Sequence, residues 1–110
     1  MKKILVIGSL NMDFVADVSH IPTVGETILA ENFELVPGGK GANQSYAIGK
    51  MHGNVAMLGR VGQDTYGERL CANLESVGVD VSRIRKLSGV STGIAVIGVI
   101  PEGDNSILVI

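Results

Sequence analysis

Pro37-Gly38-Gly39-Lys40-Gly41-Ala42-Asn43-Gln44 is the stretch on which the reading of the fold turns. Its glycines follow an apolar, β-branched run and lead into residues able to start a helix, so the pattern is strand, tight turn, helix. Without Cβ atoms the backbone there can approach a ligand closely, and the amides at the start of a helix point outward as donors. A ligand cradle at the carboxyl end of a strand is the first expectation.

The pattern continues on both sides. Residues 3–8, whose apolar side chains run continuously from Ile4 to Ile7 and end at Gly8, read as a parallel strand buried on both faces. Residues 42–51 read as a helix closed by Gly53, and residues 54–61 as the next buried strand. Thr65-Tyr66-Gly67-Glu68 has the spacing of a capping box, with Leu70, Cys71, Leu74 and Val77 on one helical face and Gly78 as the stop. The expected core is therefore βαβα with parallel crossovers, an α/β fold. Residues 79–81 suggest a further short strand, followed by a basic cluster, Arg83, Arg85 and Lys86, read as a solvated face.

Four extended segments do not fit a plain βαβ unit. They are residues 14–18, 27–36, 92–100 and 105–110, the last two joined by the turn Pro101-Glu102-Gly103-Asp104. A small accessory sheet over the carboxyl end of the main one accounts for them. The final apolar run, Ile107-Leu108-Val109-Ile110, has no closing turn, so the chain reads as cut within or just after a strand.

Composition narrows the function. The 110 residues are 45% hydrophobic and 18% charged, a globular balance. A net charge of −2, two Tyr and two Phe provide neither a basic field nor a stacking platform, so no nucleic-acid partner is expected. The longest apolar run, residues 94–100, is too short to span a bilayer, and Asn11 and Asp13 interrupt the apolar start before a signal peptide develops. With a single cysteine, Cys71, read as a core thiol, the expectation is a cytoplasmic protein without membrane contact.

Neither common nucleotide loop is present. Lys40 is followed by Gly41 where a Walker A loop needs Ser or Thr, and Gly8 is followed by Leu10 where a dinucleotide fingerprint needs its second glycine. No His or Cys pair has metal-ligand spacing, and His20 and His52 read as surface residues, so no metal site is expected. What remains is a polar constellation suited to a neutral ligand. Asn11 and Asp13, two apart on an extended chain, Asn43 and the glycine amides mix donors and acceptors as a polyhydroxylated ligand would require.

Taken together, the motifs resemble the ribokinase-like carbohydrate kinases, the PfkB family. The resemblance is carried by Gly38-Gly39-Lys40-Gly41-Ala42-Asn43-Gln44, by Gly8-Ser9-Leu10-Asn11-Met12-Asp13 and by Pro22-Thr23-Val24-Gly25-Glu26-Thr27. Gly59-Arg60-Val61-Gly62-Gln63-Asp64 with Gly67, and Ser91-Thr92-Gly93-Ile94-Ala95, extend it over nearly the whole chain. It implies the amino-terminal part of an α/β/α sandwich with a small β-sheet lid, residues 1–110 forming that part and the four extended segments the lid. By the same resemblance Asn11, Asp13, Gly38, Gly39, Lys40 and Asn43 hold sugar hydroxyls, with Lys40 alternatively ordering a neighbouring carboxylate. An apolar lid residue among Ile94 and Val96 would cover the ring.

The family reaction passes the γ-phosphoryl group of Mg-ATP to a sugar hydroxyl, of ribose in this reading, with a monovalent cation as a candidate activator. Fructose, a nucleoside or a ketodeoxy sugar acid are alternative acceptors, and a non-catalytic sugar-binding or dimerisation module is the alternative of another class. The implied partner is a second copy, joined through the lid. The second family signature, Asp-Thr-x-Gly-Ala-Gly-Asp, which carries the base and the anion hole, does not occur in these 110 residues. No catalytic residue is therefore expected in this chain, which should be inactive alone. Tyr46 and residues 50–53 are smaller departures from the family pattern.

Overall fold

The computed structural model describes residues 2–110, which divide into two compact units. The first unit comprises the chain up to Met12 together with Pro37–Gly93, and the second Asp13–Val36 with Ile94–Ile110.

In the first unit, β1 (Ile4–Ile7), α1 (Lys40–Lys50), β4 (Val55–Gly62), α2 (Thr65–Glu75) and β5 (Asp80–Leu87) follow one another. The strands form a parallel sheet in the order β1-β4-β5, with Val6 opposite Met57 and Gly59 opposite Ile84. Both helices pack on this sheet and on each other, so they share one face of it. Met12, Met57, Leu70, Leu74 and Val55 are almost wholly removed from solvent and make the core. The expected βαβα order with parallel crossovers is what the chain adopts, and burial pushes the Cys71 thiol upward in pKa, as befits a core cysteine.

The expectation that β1 is buried on both faces is not met. Leu5 and Ile7 are 50% and 70% exposed, and only Val6 is buried. The sheet order makes β1 an edge strand, and with both helices on one side the opposite face has no covering layer among the described residues. On that face Leu58, Gly59, Arg60, Ser82, Arg83 and Arg85 border an open recess of about 480 Å³. The proposed short strand at 79–81 is in fact eight residues long and includes the basic cluster, whose three side chains are all exposed.

Helix ends depart from expectation in instructive ways. α1 begins at Lys40 rather than 42, because Gly39 itself turns the chain with φ +100°. At its other end the left-handed residue is His52 (φ 63°), not Gly53. Gly53 is needed for a different reason, since a Cβ there would lie 2.5 Å from Ile48 Cγ2. A histidine in the left-handed region is strained, so His52→Gly is expected to stabilise the chain by about 1 kcal/mol, read as a raised urea midpoint. In α2 the cap is Asp64, whose carboxylate accepts from the Gly67 amide at 2.8 Å, so the capping-box reading of Thr65 and Glu68 is off by one residue. Gly78 (φ 83°) does end that helix, as the sequence indicated.

The remaining strands are β2 (Asn11–Asp17), β3 (Asn32–Gly38), β6 (Gly93–Val99) and β7 (Asn105–Val109), in the sheet order β3-β2-β6-β7. β6 and β7 form an antiparallel hairpin with Val96 opposite Leu108, turning through Gly103 (φ 92°). Within the second unit Phe14 and Phe33 meet edge to face with centroids 6.0 Å apart. The extended reading of 27–36 is too long by five residues. Residues 27–31 lie outside the strand, and Leu29 is 91% exposed, so apolar β-favouring residues there find no ladder to join. The turn before them is held by Glu26, whose carboxylate accepts from the Thr23 amide and from His20 Nε2, each at 3.0 Å.

Candidate functional site

The glycine stretch is built by close backbone approach. A Cβ on Gly8 would lie 2.9 Å from Gly41 Cα, and one on Gly41 would lie 2.7 Å from Gly8 Cα, so the end of β1 and the first turn of α1 touch backbone to backbone. The Ala42 amide donates to the Ser9 carbonyl at 3.1 Å, tying the helix start to the loop after β1. Gly39 is the tightest point, because a Cβ there would meet Ser9 O at 2.5 Å and Leu10 Cα at 2.9 Å. The turn at Gly38-Gly39 thus holds the amino end of α1 beside the residues that lead into Asn11. No side chain caps α1, which leaves its first-turn amides to other partners.

Each sequence-derived candidate has a definite place. Asn11, Gly38, Gly39, Lys40 and Asn43 belong to the first unit, and Asp13, Ile94 and Val96 to the second. Asn11 and Asp13 lie two residues apart on β2, hence on one face of the strand, with buried Met12 on the other. Gly38 is buried at the end of β3, Lys40 is exposed at the head of α1, and Asn43 is exposed on its first turn. Asn43 also borders a shallow recess with Pro37, Tyr46 and Asn73. Tyr46, the departure noted above, lies under Lys50 Nζ, 6.0 Å from the ring centroid. Ile94 and Val96 share a face of β6, and Val96 lines an apolar recess of about 240 Å³ together with Val18, Ile21 and Leu108 of its own unit.

A second polar cluster escaped the sequence reading. Asp64 Oδ1 accepts from the Gly67 amide and, at 2.6 Å, from Thr92 Oγ1, while its Oδ2 accepts from the Thr92 amide at 2.9 Å. The Thr92 hydroxyl in turn accepts from the Gly62 amide at 2.9 Å, and Thr92 is 2% exposed. The signal that could have exposed it is Asp64 itself, a strong cap type three residues before Gly67. Donation by the Thr92 hydroxyl, then by the Thr92 and Gly67 amides, holds the Asp64 carboxyl below the usual carboxylate range. A carboxyl lowered in the folded state contributes stability above its unfolded pKa and loses it as pH falls through the folded value. Thermal melts should therefore fall below about pH 4, and Asp64→Asn should flatten that acid limb. An unchanged limb in the variant would remove Asp64 as its cause.

Among the described residues, no group of three or more His, Cys, Asp or Glu side chains is placed to hold a metal ion. Nor is any described helix long and apolar enough to cross a membrane.

Comparison with known proteins matches residues 1–110 to the model of the pfkB family carbohydrate kinases. The chain is 44% identical to a ribokinase of Bacillus subtilis over 110 residues, covering all of this chain and 37% of that protein. It is 40% identical to a deoxyribokinase of Salmonella typhi over 107 residues, covering 97% of this chain and 35% of that protein. Among solved structures, Arabidopsis thaliana ribokinase complexed with ribose and ATP superposes with a TM-score of 0.85 at 33% identity, covering 96% of this chain and 35% of that one. The chain thus spans about a third of the length of the curated relatives it matches. With its whole length matched by the family model and its strands and helices following the same order in space, the chain belongs to the pfkB family of carbohydrate kinases.

Proposed function

We propose that this chain is the acceptor-binding portion of an ATP-dependent sugar kinase that phosphorylates ribose. The observation that carries the proposal is the Gly38-Gly39 turn, which sets the uncapped amino end of α1 against the residues leading into Asn11. Sugar hydroxyls both donate and accept, and each candidate supplies one side of that exchange. The Asp13 carboxylate accepts, Asn11 and Asn43 do both, and the glycine amides at the head of α1 donate. Lys40, at the head of α1, either meets the sugar or orders a neighbouring carboxylate. The strands β2, β3, β6 and β7 act as the lid, with Ile94 and Val96 over the ring, and a second copy joins through that lid. The Arabidopsis relative, whose structure contains ribose and ATP, supports ribose as acceptor and ATP as donor.

The γ-phosphoryl group and its Mg2+ supply the electrophile when bound, and the residues that hold them lie outside these 110. Within this chain the work is to bind the sugar, orient the accepting hydroxyl and exclude water. The chain alone is accordingly proposed to be catalytically silent. A cytoplasmic location and a monovalent-cation requirement belong to the same proposal. The test is ADP release by the full-length enzyme carrying this sequence, with ribose, deoxyribose, fructose, a nucleoside and a ketodeoxy sugar acid compared. The highest kcat/KM is expected for ribose. A higher value for any other acceptor would reassign the substrate, and no ATP-dependent transfer to any of them would end the kinase reading.

A further inference from the structure

We infer that Asp64 and Thr92 are positioning residues for the sugar-contacting end of β2 at Asn11, acting through Gly93. The inference rests on the proposed role of Asn11 as a sugar contact.

Capping α2 requires only one acceptor, and Asp64 Oδ1 supplies it to the Gly67 amide. The other bonds have no role in capping. Asp64 holds both the amide and the hydroxyl of Thr92, and Thr92 Oγ1 takes the Gly62 amide, so the end of β4, the start of α2 and the start of β6 meet at one carboxylate and one hydroxyl. The chain is shaped to permit this. A Cβ on Gly62 would lie 2.3 Å from Val90 O, 2.6 Å from Thr92 N and 2.7 Å from Asp64 Oδ2, and one on Gly67 would lie 2.4 Å from Gly62 O. Two glycines, an aspartate and a threonine from segments 25 or more residues apart are thus explained by one device.

Its consequence lies one residue further on. Gly93 follows Thr92 directly and lies beside the start of β2, a Cβ on it falling 3.5 Å from Asn11 Cβ and 3.7 Å from Leu10 O. All of these residues belong to the first unit. Fixing Thr92 by three hydrogen bonds therefore fixes the neighbour of Asn11, and hydrogen-bond recognition of a hydroxyl is sensitive to displacements well under 1 Å.

The test uses the full-length enzyme, with Asp64→Asn and Thr92→Val as the disrupting variants and Thr92→Ser as the conservative one. KM for ribose and KM for ATP are measured well below the melting temperature of each. The disrupting variants should raise KM for ribose about tenfold and leave KM for ATP unchanged, while Thr92→Ser stays near wild type. If Thr92→Val does not accumulate folded, Asp64→Asn decides by the same two constants. A lowered melting temperature with KM for ribose unchanged would overturn the inference and leave the cluster a cap alone. Failure of the wild-type enzyme to phosphorylate any sugar is a distinct result, seen before any variant is made, and it removes the inference together with the kinase reading.

Discussion

Replacing Gly39 by alanine is expected to lower the stability of the chain by about 3–5 kcal/mol, a large share of the roughly 5–15 kcal/mol typical of a domain. Two penalties act at once. The residue sits at φ +100°, where an L side chain is strained, and its Cβ would lie within 2.9 Å of both Ser9 O and Leu10 Cα, which are backbone atoms and cannot rotate away. Relief requires α1 to move off the loop after β1, which would also break the Ala42 to Ser9 hydrogen bond. Gly25 provides the control. It has φ +80° but nothing within 4 Å of a built Cβ, so Gly25→Ala should cost only about 1 kcal/mol. Urea denaturation of both variants separates the steric part from the conformational part. Equal midpoints for the two would show that close packing at Gly39 contributes nothing.

Removing the Asp13 carboxylate should be the most damaging single change to sugar use that leaves the fold intact. Under the proposed function a sugar hydroxyl loses its charged acceptor in Asp13→Ala, a loss of about 1.5–3 kcal/mol. That corresponds to roughly a 10- to 150-fold fall in kcat/KM for ribose. Asp13 is half-buried on β2, a setting in which water replaces a lost partner only in part. KM for ATP should not change. Kinetics equal to wild type in the full-length variant would take Asp13 out of the site.

The parts of this architecture that could be read from the sequence are those decided locally. The βαβα order follows from apolar runs and periodicity, Gly78 marks a helix end by its own conformational freedom, and Pro101 to Asp104 announce a hairpin turn. What could not be read depends on residues far apart. The burial of β1 is set by which face the helices cover, and no pattern within residues 4–7 records that. Asp64 looks like an ordinary cap until Thr92, 28 residues later, is seen to share its carboxylate. His52 takes the left-handed position expected of Gly53, while Gly53 is required because Ile48 occupies the space its Cβ would need. At the candidate site the polar residue types were legible, and the reason the turn requires Gly39 was not, since Ser9 and Leu10 impose it from another segment.

The face of the first sheet left without a covering layer among the described residues has a consequence for these 110 residues taken alone. Arg60 and Arg85 are cross-strand partners there, and Arg83 stands beside Leu58 on the next rung. Like charges directly opposite each other repel, and in this arrangement they share the face with exposed Leu5, Ile7 and Leu58. Dissolved salt screens such repulsion beyond about 8 Å at physiological ionic strength while leaving the apolar attraction in place. At low salt the arginines are expected to keep copies of this face of the isolated chain apart. Added salt removes that protection and turns the same surface adhesive, so ionic strength sets how long the isolated chain stays dispersed.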